Sequence, residues 1–194
     1  NVMDNKEEIV EIIKKRRISK LIHVTRKENL KSILNYGILS RDDLVKRNIN
    51  FKFNDYDRYD KWEFTSCLSV TKLNPFLIKR FIERQKLNAK DFFEIHLKPA
   101  ILVYNQCIFC DTNAASITFN EYRNNPEKLD ILKSWLAFEG MFKETVRQTK
   151  GKIRRLYKLD NETTCSQAEI CVIGKIPQDY FINIKSMKEY SNDK

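Results

Sequence analysis

Glu169 is the residue in this chain whose position most needs an explanation. It interrupts an otherwise apolar run of Ala168, Ile170, Cys171, Val172 and Ile173. Strand side chains alternate between faces, so Glu169 shares a face with Cys171 and Ile173 that should be half-buried. An unpaired buried carboxylate costs several kcal/mol, so Glu169 requires a partner, a ligand or open water. It either serves a site or faces solvent from an edge strand. His23 and His96 are the two histidines. Both lie among apolar neighbours, and each reads as a functional group or as a structural core histidine. The segment Arg147–Lys158 (RQTKGKIRRLYK) carries six Lys or Arg just before the Glu169 strand. Cations beside an aromatic residue, here Tyr157, suit a groove that binds a single strand by charge and base stacking. An ordinary solvated loop or helix would carry the same composition.

Other chemistries are excluded by what is missing. The four glycines form neither G-x-G-x-x-G nor G-x-x-x-x-G-K-[ST], so no glycine loop of the usual kinds cradles a phosphate. Two histidines cannot make an H-E-x-x-H zinc site. Cys107-Ile-Phe-Cys110 lacks a second ligand pair at short spacing, since Cys165 and Cys171 are six apart. It also lacks the helix N-terminus of a redox motif. Five cysteines at irregular spacing (67, 107, 110, 165 and 171) suit core thiols in a reduced, cytoplasmic protein, and no metal is expected.

The elements that must position these residues follow from patterning. A chain of 194 residues with 42% hydrophobic residues fits one domain with its own core. Its formal net charge of +10 favours a polyanionic partner, nucleic acid being the commonest, over a merely solvated surface. No apolar run reaches the ~18–20 residues of a membrane span. The acidic-then-basic opening is not expected to be a secretory signal. Residues 4–17 read as an amphipathic helix carrying Ile9, Ile12 and Ile13. A strand is expected at Lys20–Thr25, then a helix at Arg26–Tyr36 closed by Gly37. Residues 40–63 read as a long loop, Phe64–Thr71 as a strand, and Asn74–Gln85 as a helix with an Asn cap and Pro75 first. FFEIHL and AILV read as strands within 91–103, residues 105–118 as a loop, and Glu127–Glu139 as one helix. A basic stretch of mixed character, 143–166, precedes the strand Ala168–Ile173. The last strand, YFINI, leads to a frayed, charged end. Strands and helices alternate without a regular βαβ rhythm, so the class is α+β with a mostly antiparallel sheet.

A family resemblance runs through these elements in order. LIHVTRKENLKSILNYGILSRDDL, with its strand, His-x-Thr, Asn four residues on, helix and Gly-Ile-Leu-Ser, resembles the opening of the DarT family of DNA ADP-ribosyltransferases. DRYD, SCLSVT and Asn74-Pro75 resemble the next block, and CIFCDTNAAS and TTCSQAEICVIGKIP the third and fourth. The matches span roughly residues 20–180. The resemblance implies a single ADP-ribosyltransferase domain over residues 1–194, with 1–19 a helical extension outside the motifs. Its fold is α+β, with a central, mostly antiparallel split sheet flanked by helices. NAD is the implied co-substrate, bound between two small sheets without a Rossmann fingerprint.

The resemblance also assigns residues. His23 and Thr25 fall at the ribose and nicotinamide end, Asn29 and Gly37 on the NAD-lining helix and turn, and Ser69 in the nicotinamide pocket. Glu169 matches the catalytic glutamate, which would steady an oxocarbenium-like ribose and take the proton of the attacking base nitrogen. Arg58 falls where the family places an arginine over the cofactor, where a guanidinium can grip a phosphate and orient the reacting base. Arg147, Lys150, Lys152, Arg154 and Arg155 fall in the substrate-binding region. Base atoms are inaccessible in a duplex, so single-stranded DNA is the implied substrate. The implied role is a toxin paired with an antitoxin ADP-ribosyl hydrolase of macrodomain or NADAR type.

The chain departs from the thymine-modifying members, which carry a glycine- and proline-rich loop and a DYVPFYF-like strand where this sequence reads RYDKWEFTSCLSV. That departure places guanine first and thymine second as the modified base. The scaffold also admits RNA or protein as the acceptor, or a catalytically silent module that binds single-stranded nucleic acid. The basic balance favours nucleic acid, and the joint presence of Glu169, His23 and Arg58 favours catalysis.

Overall fold

The computed structural model describes residues 2–54 and 58–187. Its centre is a six-stranded sheet in the order β4-β7-β2-β1-β3-β8, with every pairing antiparallel. These strands are β1 (Leu21–Arg26), β2 (Thr65–Val70), β3 (Phe92–Leu97), β4 (Cys107–Cys110), β7 (Glu169–Ile173) and β8 (Phe181–Ser186). A separate hairpin is formed by β5 (Thr145–Gln148) and β6 (Gly151–Arg154). The helices are α1 (Val2–Lys15), α2 (Leu30–Tyr36), α3 (Arg41–Lys46), α4 (Pro75–Gln85), α5 (Ile101–Tyr104), α6 (Asn120–Arg123), α7 (Pro126–Ile131) and α8 (Trp135–Gly140).

The sheet is split at its middle. β1 pairs with β3 along its whole length, from Leu21↔Leu97 to Arg26↔Phe92. It pairs with β2 only at Leu21↔Val70 and Ile22↔Ser69. Beyond those two pairs the strands part, leaving the halves β8-β3-β1 and β2-β7-β4. One apolar cluster runs under both halves, joining Leu21, Ile95, Leu68 and Ile170 to Ile9 and Ile12 of α1 and Phe138 of α8. The other packing is divided. Trp62, Phe119, Cys110 and Cys171 cover the β7-β4 half, and Ile78, Phe92 and Met187 cover the β1-β3 half. The boundary between these two clusters falls where β1 and β2 separate.

The helical stretch ahead of β1 packs against the sheet, with Ile9, Ile12 and Ile18 buried in the main core. Several expectations are corrected. The stretch 40–63 contains α3, started by Ser40, whose Oγ accepts from Asp43 N at 3.2 Å. AILV is helical rather than extended, since a four-residue apolar run fits either geometry and here Ile101 and Leu102 are buried from a helical turn. The loop at 105–118 contains β4, a strand too short for a period to show. The helix over Glu127–Glu139 is broken in two by Ser134, which caps α8 through Ala137 N. Arg26–Tyr36 begins as a 3-10 turn, Lys27–Asn29, before α2. The mixed stretch at 143–166 holds the β5–β6 hairpin. Asp57 of DRYD and the charged end beyond Met187 lie outside the described residues.

Gly37 ends α2 with φ 83° and ψ −177°, backbone open essentially to glycine alone. A Cβ there would meet Ile176 O at 2.5 Å, and Ile38 and Ile176 pair through their backbones. Gly37→Ala should therefore destabilise the fold by about 2 kcal/mol or more, from the strain and the clash together. A urea titration would show this as a lower midpoint at unchanged slope.

Candidate active site

The split opens a cavity of about 300 Å³ whose lining includes His23, Thr25, Asn29, Gly37, Ser69, Arg58 and Glu169. His23 stands where the β1–β2 ladder stops. Its Nδ1 lies 3.0 Å from Cys67 O, so a side chain makes the next link across the gap. A carbonyl oxygen only accepts, which makes Nδ1 the protonated nitrogen and leaves Nε2 as an acceptor. Burial holds the imidazole below its ordinary pKa, and the Arg58 charge adds to this, against the Cys67 hydrogen bond. His23 is thus neutral, with one fixed tautomer. His96 is a buried structural residue, its Nε2 2.8 Å from Glu94 Oε2.

Thr25 and Asn29 shape one wall. Asn29 Nδ2 donates to Thr25 Oγ1 at 3.1 Å and Lys52 O at 2.8 Å, while its Oδ1 accepts from Lys52 N at 2.7 Å. The amide therefore clips the loop of Phe51, Lys52 and Phe53 against the cavity. Asn54 Nδ2 ties the same loop to Val24 O at 2.7 Å. The Arg41 guanidinium lies 4.2 Å from the Phe53 ring centroid.

Arg58 is turned into the protein. Its Nε donates to both Asp60 oxygens at 3.0 and 3.1 Å, Nη1 to Thr65 O at 3.2 Å, and Nη2 to Trp62 O at 2.8 Å and Thr65 Oγ1 at 3.1 Å. One Nη1 hydrogen has no partner among the described residues. The guanidinium thus acts first as the knot that folds residues 58–65 against β2. Asp60, Cys67 and Cys171 bring possible metal-ligand atoms within 4.8 Å of one another. The permanent positive charge of Arg58, 3.8 Å from Cys67 Sγ and bonded to Asp60, already supplies the cation of that group. Cys107 and Cys110 point into different clusters, and burial pushes the Cys107 thiol up to about 12.

Glu169 opens β7, opposite Cys110 of β4. Its Oε2 accepts from Ala114 N at 2.7 Å, and its Oε1 has no partner among the described residues. Burial raises its pKa from 4.5 to about 7; nearby Asp60 adds to this, while the Ala114 bond and Arg58 oppose it. This is a carboxylate anchored by one oxygen, aimed into a cavity and balanced between its two protonation states near neutrality.

The β5–β6 hairpin presents its cations on one face. Arg147 stands directly opposite Lys152 and Thr145 opposite Arg154, while Val146 and Ile153 face inward. Like charges directly opposite on a hairpin destabilise it, and none of these residues has a carboxylate within ion-pair distance among the described residues. Arg155 is different. Its guanidinium donates to Glu162 O at 2.6 Å, Leu159 O at 2.7 Å, Thr164 Oγ1 at 3.3 Å and Asp160 O at 3.3 Å, so it braces the loop before β7.

The sequence model of a family described as "ssDNA thymidine ADP-ribosyltransferase, DarT" matches residues 22–194. The chain belongs to the DarT family. A DNA ADP-ribosyl transferase-DNA ADP-ribosyl glycohydrolase fusion protein of Thermosipho africanus (strain H17ap60334) is 27% identical over 153 residues, covering 72% of this chain and 38% of that protein. The solved structure of Thermosipho africanus DarTG in complex with ADP-ribose superposes with a TM-score of 0.54 at 20% identity, over 86% of this chain and 43% of that one. The chain thus spans about two-fifths of the length of these relatives. The family's ADP-ribosyltransferase fold accounts for the α+β class and the split sheet.

Within this DarT-family fold, the residues read from the resemblance divide by what they touch. His23, Ser69 and Glu169 border the same cavity with polar atoms available to a ligand. Thr25, Asn29 and Arg58 border it too, but chiefly hold its walls. Arg41, Lys52, Arg80 and Arg84 also line it, and sequence reading missed them as site residues. Arg80 and Arg84 were legible as a pair one helical turn apart on α4, whereas Arg41 depends on the unrecognised α3.

The Glu169 environment sets a pH signature. Between about pH 4.5 and 7 the folded chain keeps a proton on Glu169 that the unfolded chain has lost, so the parent protein loses stability as pH rises through that window. Glu169→Gln has no such proton to lose. Melting temperatures across pH 5 to 8 should show the variant gaining on the parent as pH rises; parallel curves would contradict the raised pKa.

Proposed function

We propose that this chain transfers ADP-ribose from NAD to a base of single-stranded DNA. The observation that carries the reading is Glu169, which lines the cavity between the half-sheets with Oε1 unbonded among the described residues while burial holds its pKa near 7. A general base works best when its pKa lies near the operating pH. In the transfer, the bond from the ribose C1′ to the nicotinamide nitrogen breaks and nicotinamide leaves with the electron pair. A base nitrogen bonds to C1′ and gives up its proton to Glu169. His23 offers Nε2 as acceptor for a ribose hydroxyl, and its fixed tautomer keeps that role unambiguous. Arg41, Lys52, Arg80 and Arg84 supply positive charge for the diphosphate. Arg58 shapes the loop between these groups, with one donor left for a ligand.

Thymine is the acceptor that the family description supports. Guanine stays as a second reading, carried by RYDKWEFTSCLSV, where the chain departs from the thymine-modifying pattern. The fusion of a DNA ADP-ribosyl transferase with a DNA ADP-ribosyl glycohydrolase in the Thermosipho africanus relative supports a hydrolase antitoxin as the partner of a toxin; its macrodomain or NADAR type rests on the family resemblance alone. No helix among the described residues is long and apolar enough to cross a membrane.

Incubation with NAD and two single-stranded oligonucleotides, one carrying thymine and one guanine as its single variable base, tests this by mass spectrometry. One of them should gain the mass of an ADP-ribosyl group, and Glu169→Gln should slow that gain by about 10²–10⁴-fold, the usual worth of a general base. Transfer to RNA or protein alone would overturn DNA as the acceptor. Binding without transfer by the parent chain would point to a silent module.

The paired cations of the hairpin predict a second result. Replacing Arg147, Lys152 and Arg154 by Gln should make oligonucleotide affinity less salt-dependent, lowering the log–log slope by up to about 2 at ~0.7 per phosphate contact on single strands. An unchanged slope would remove the hairpin from the DNA path.

A further inference from the structure

A second cavity, of about 670 Å³, lies beside β4, on the far side of the segment that anchors Glu169. Residues 111–118 form the shared wall: Asn113 and Ala115 line the first cavity, while Asp111, Ile117 and Thr118 line the second. The second is walled by the rings of Phe109, Phe119 and Tyr122, with Leu136 exposed at its rim. Lys143 and Arg147 border it. Asp111 has no ion pair and no hydrogen bond from another residue's side chain among the described residues. Burial raises its carboxyl above the ordinary range, opposed by the Lys143 charge and its own backbone N–H. Beside buried rings, two flanking cations and a carboxylate held by no other residue's side chain border an open volume.

We propose that this cavity seats a nucleotide adjoining the modified base, and that Asp111 selects there for a base bearing an exocyclic amino group. The inference rests on single-stranded DNA as the substrate and adds to it a place where sequence context is read. Three points support that occupant over any other. The cavity lies across the 111–118 segment from the active cleft, and the chain from Asp111 to Ala114 spans at most about 11 Å, within reach of a neighbouring nucleotide. The half-buried Tyr122 ring at the wall offers stacking, which is the general means of holding single-stranded bases. The charges are complementary as well: Lys143 and Arg147 suit the phosphate, and Asp111 accepts from an amino group, as a carboxylate does from cytosine N4. Thymine, without an exocyclic amino group, fits the site less well.

The test uses oligonucleotides with one acceptor base and an abasic site placed in turn at each neighbouring position. At one position the abasic site should raise KM for the oligonucleotide about tenfold while kcat is retained. With that position filled by each natural base, cytosine, adenine or guanine should outperform thymine by about tenfold in kcat/KM. Asp111→Asn should erase the preference, and Leu136→Trp, which fills the cavity from an exposed rim position, should raise KM and erase the abasic effect. Urea unfolding midpoints check that both variants remain folded. Transfer indifferent to every neighbouring base, or a preference that survives both substitutions, would overturn the inference and leave the DNA reading intact. Absence of transfer to any oligonucleotide would overturn the DNA reading and this inference with it.

Discussion

The cleft that holds Glu169 and His23 follows from a sheet whose two halves are joined at only one end. Leu21↔Val70 and Ile22↔Ser69 are the two register pairs that join its halves. A continuous ladder would bring His23 opposite Leu68 and leave no room for a ligand. Instead the ring of His23 reaches Cys67 O, and the strands diverge around it. The cost of the missing ladder bonds is limited because a side-chain donor satisfies the exposed carbonyl at the point where pairing ends. The same contact fixes the imidazole tautomer, so one hydrogen bond both terminates the ladder and leaves Nε2 as an acceptor. The apolar packing follows the same division, with a shared cluster beneath both halves and separate clusters above each.

Glu169 depends on that opening for its chemistry. At the first residue of β7 it is close enough to the buried Cys67–Cys171 region to be desolvated, yet it borders the cleft. Ala114 N holds Oε2 at 2.7 Å and lowers the carboxyl pKa, and Arg58 lowers it further, but burial outweighs both. Had Arg58 aimed its charge directly at Glu169, the carboxylate would be firmly ionised and a weak base. Its Nε is engaged by Asp60 and all but one of its other donors by Trp62 and Thr65, which ties that charge to a buried loop. The folded loop and the balanced glutamate are therefore two consequences of one arrangement.

The parts legible in the sequence are those with a period or a rare residue. Ile9 and Ile12 at helical spacing, Gly37 after an apolar helix face, and Glu169 inside an apolar strand all carry local signals that the structure repeats. The parts missed carry their signal in three dimensions. CIFC is too short to show a period, and its strand character comes from pairing with β7. Ser134 looks like any polar residue within a helix until its Oγ caps α8. Arg155 and Arg147 are equivalent in composition, yet one braces a loop of carbonyls and the other stands on an exposed hairpin face. A resemblance could place Asn29 and Arg58 at the cleft, but only their partners show that they chiefly build its walls.

The charge of the chain gains meaning from where it is placed. A net charge of +10 by itself says that polyanions will be attracted, nothing more. Seven of the 36 Lys and Arg form two groups, with Arg41, Lys52, Arg80 and Arg84 around the split and Arg147, Lys152 and Arg154 on the hairpin. The first group surrounds a narrow cleft and suits a compact, doubly charged ligand; the second lies on an open face and suits an extended one. Glu169 borders the same cleft as the first group, and its pKa of about 7 leaves it partly neutral there. In the proposed transfer, a fully ionised carboxylate there would repel both the dinucleotide and the DNA strand. The raised pKa would ease their approach as well as suit a base, and both effects arise from the burial of Glu169 at the start of β7.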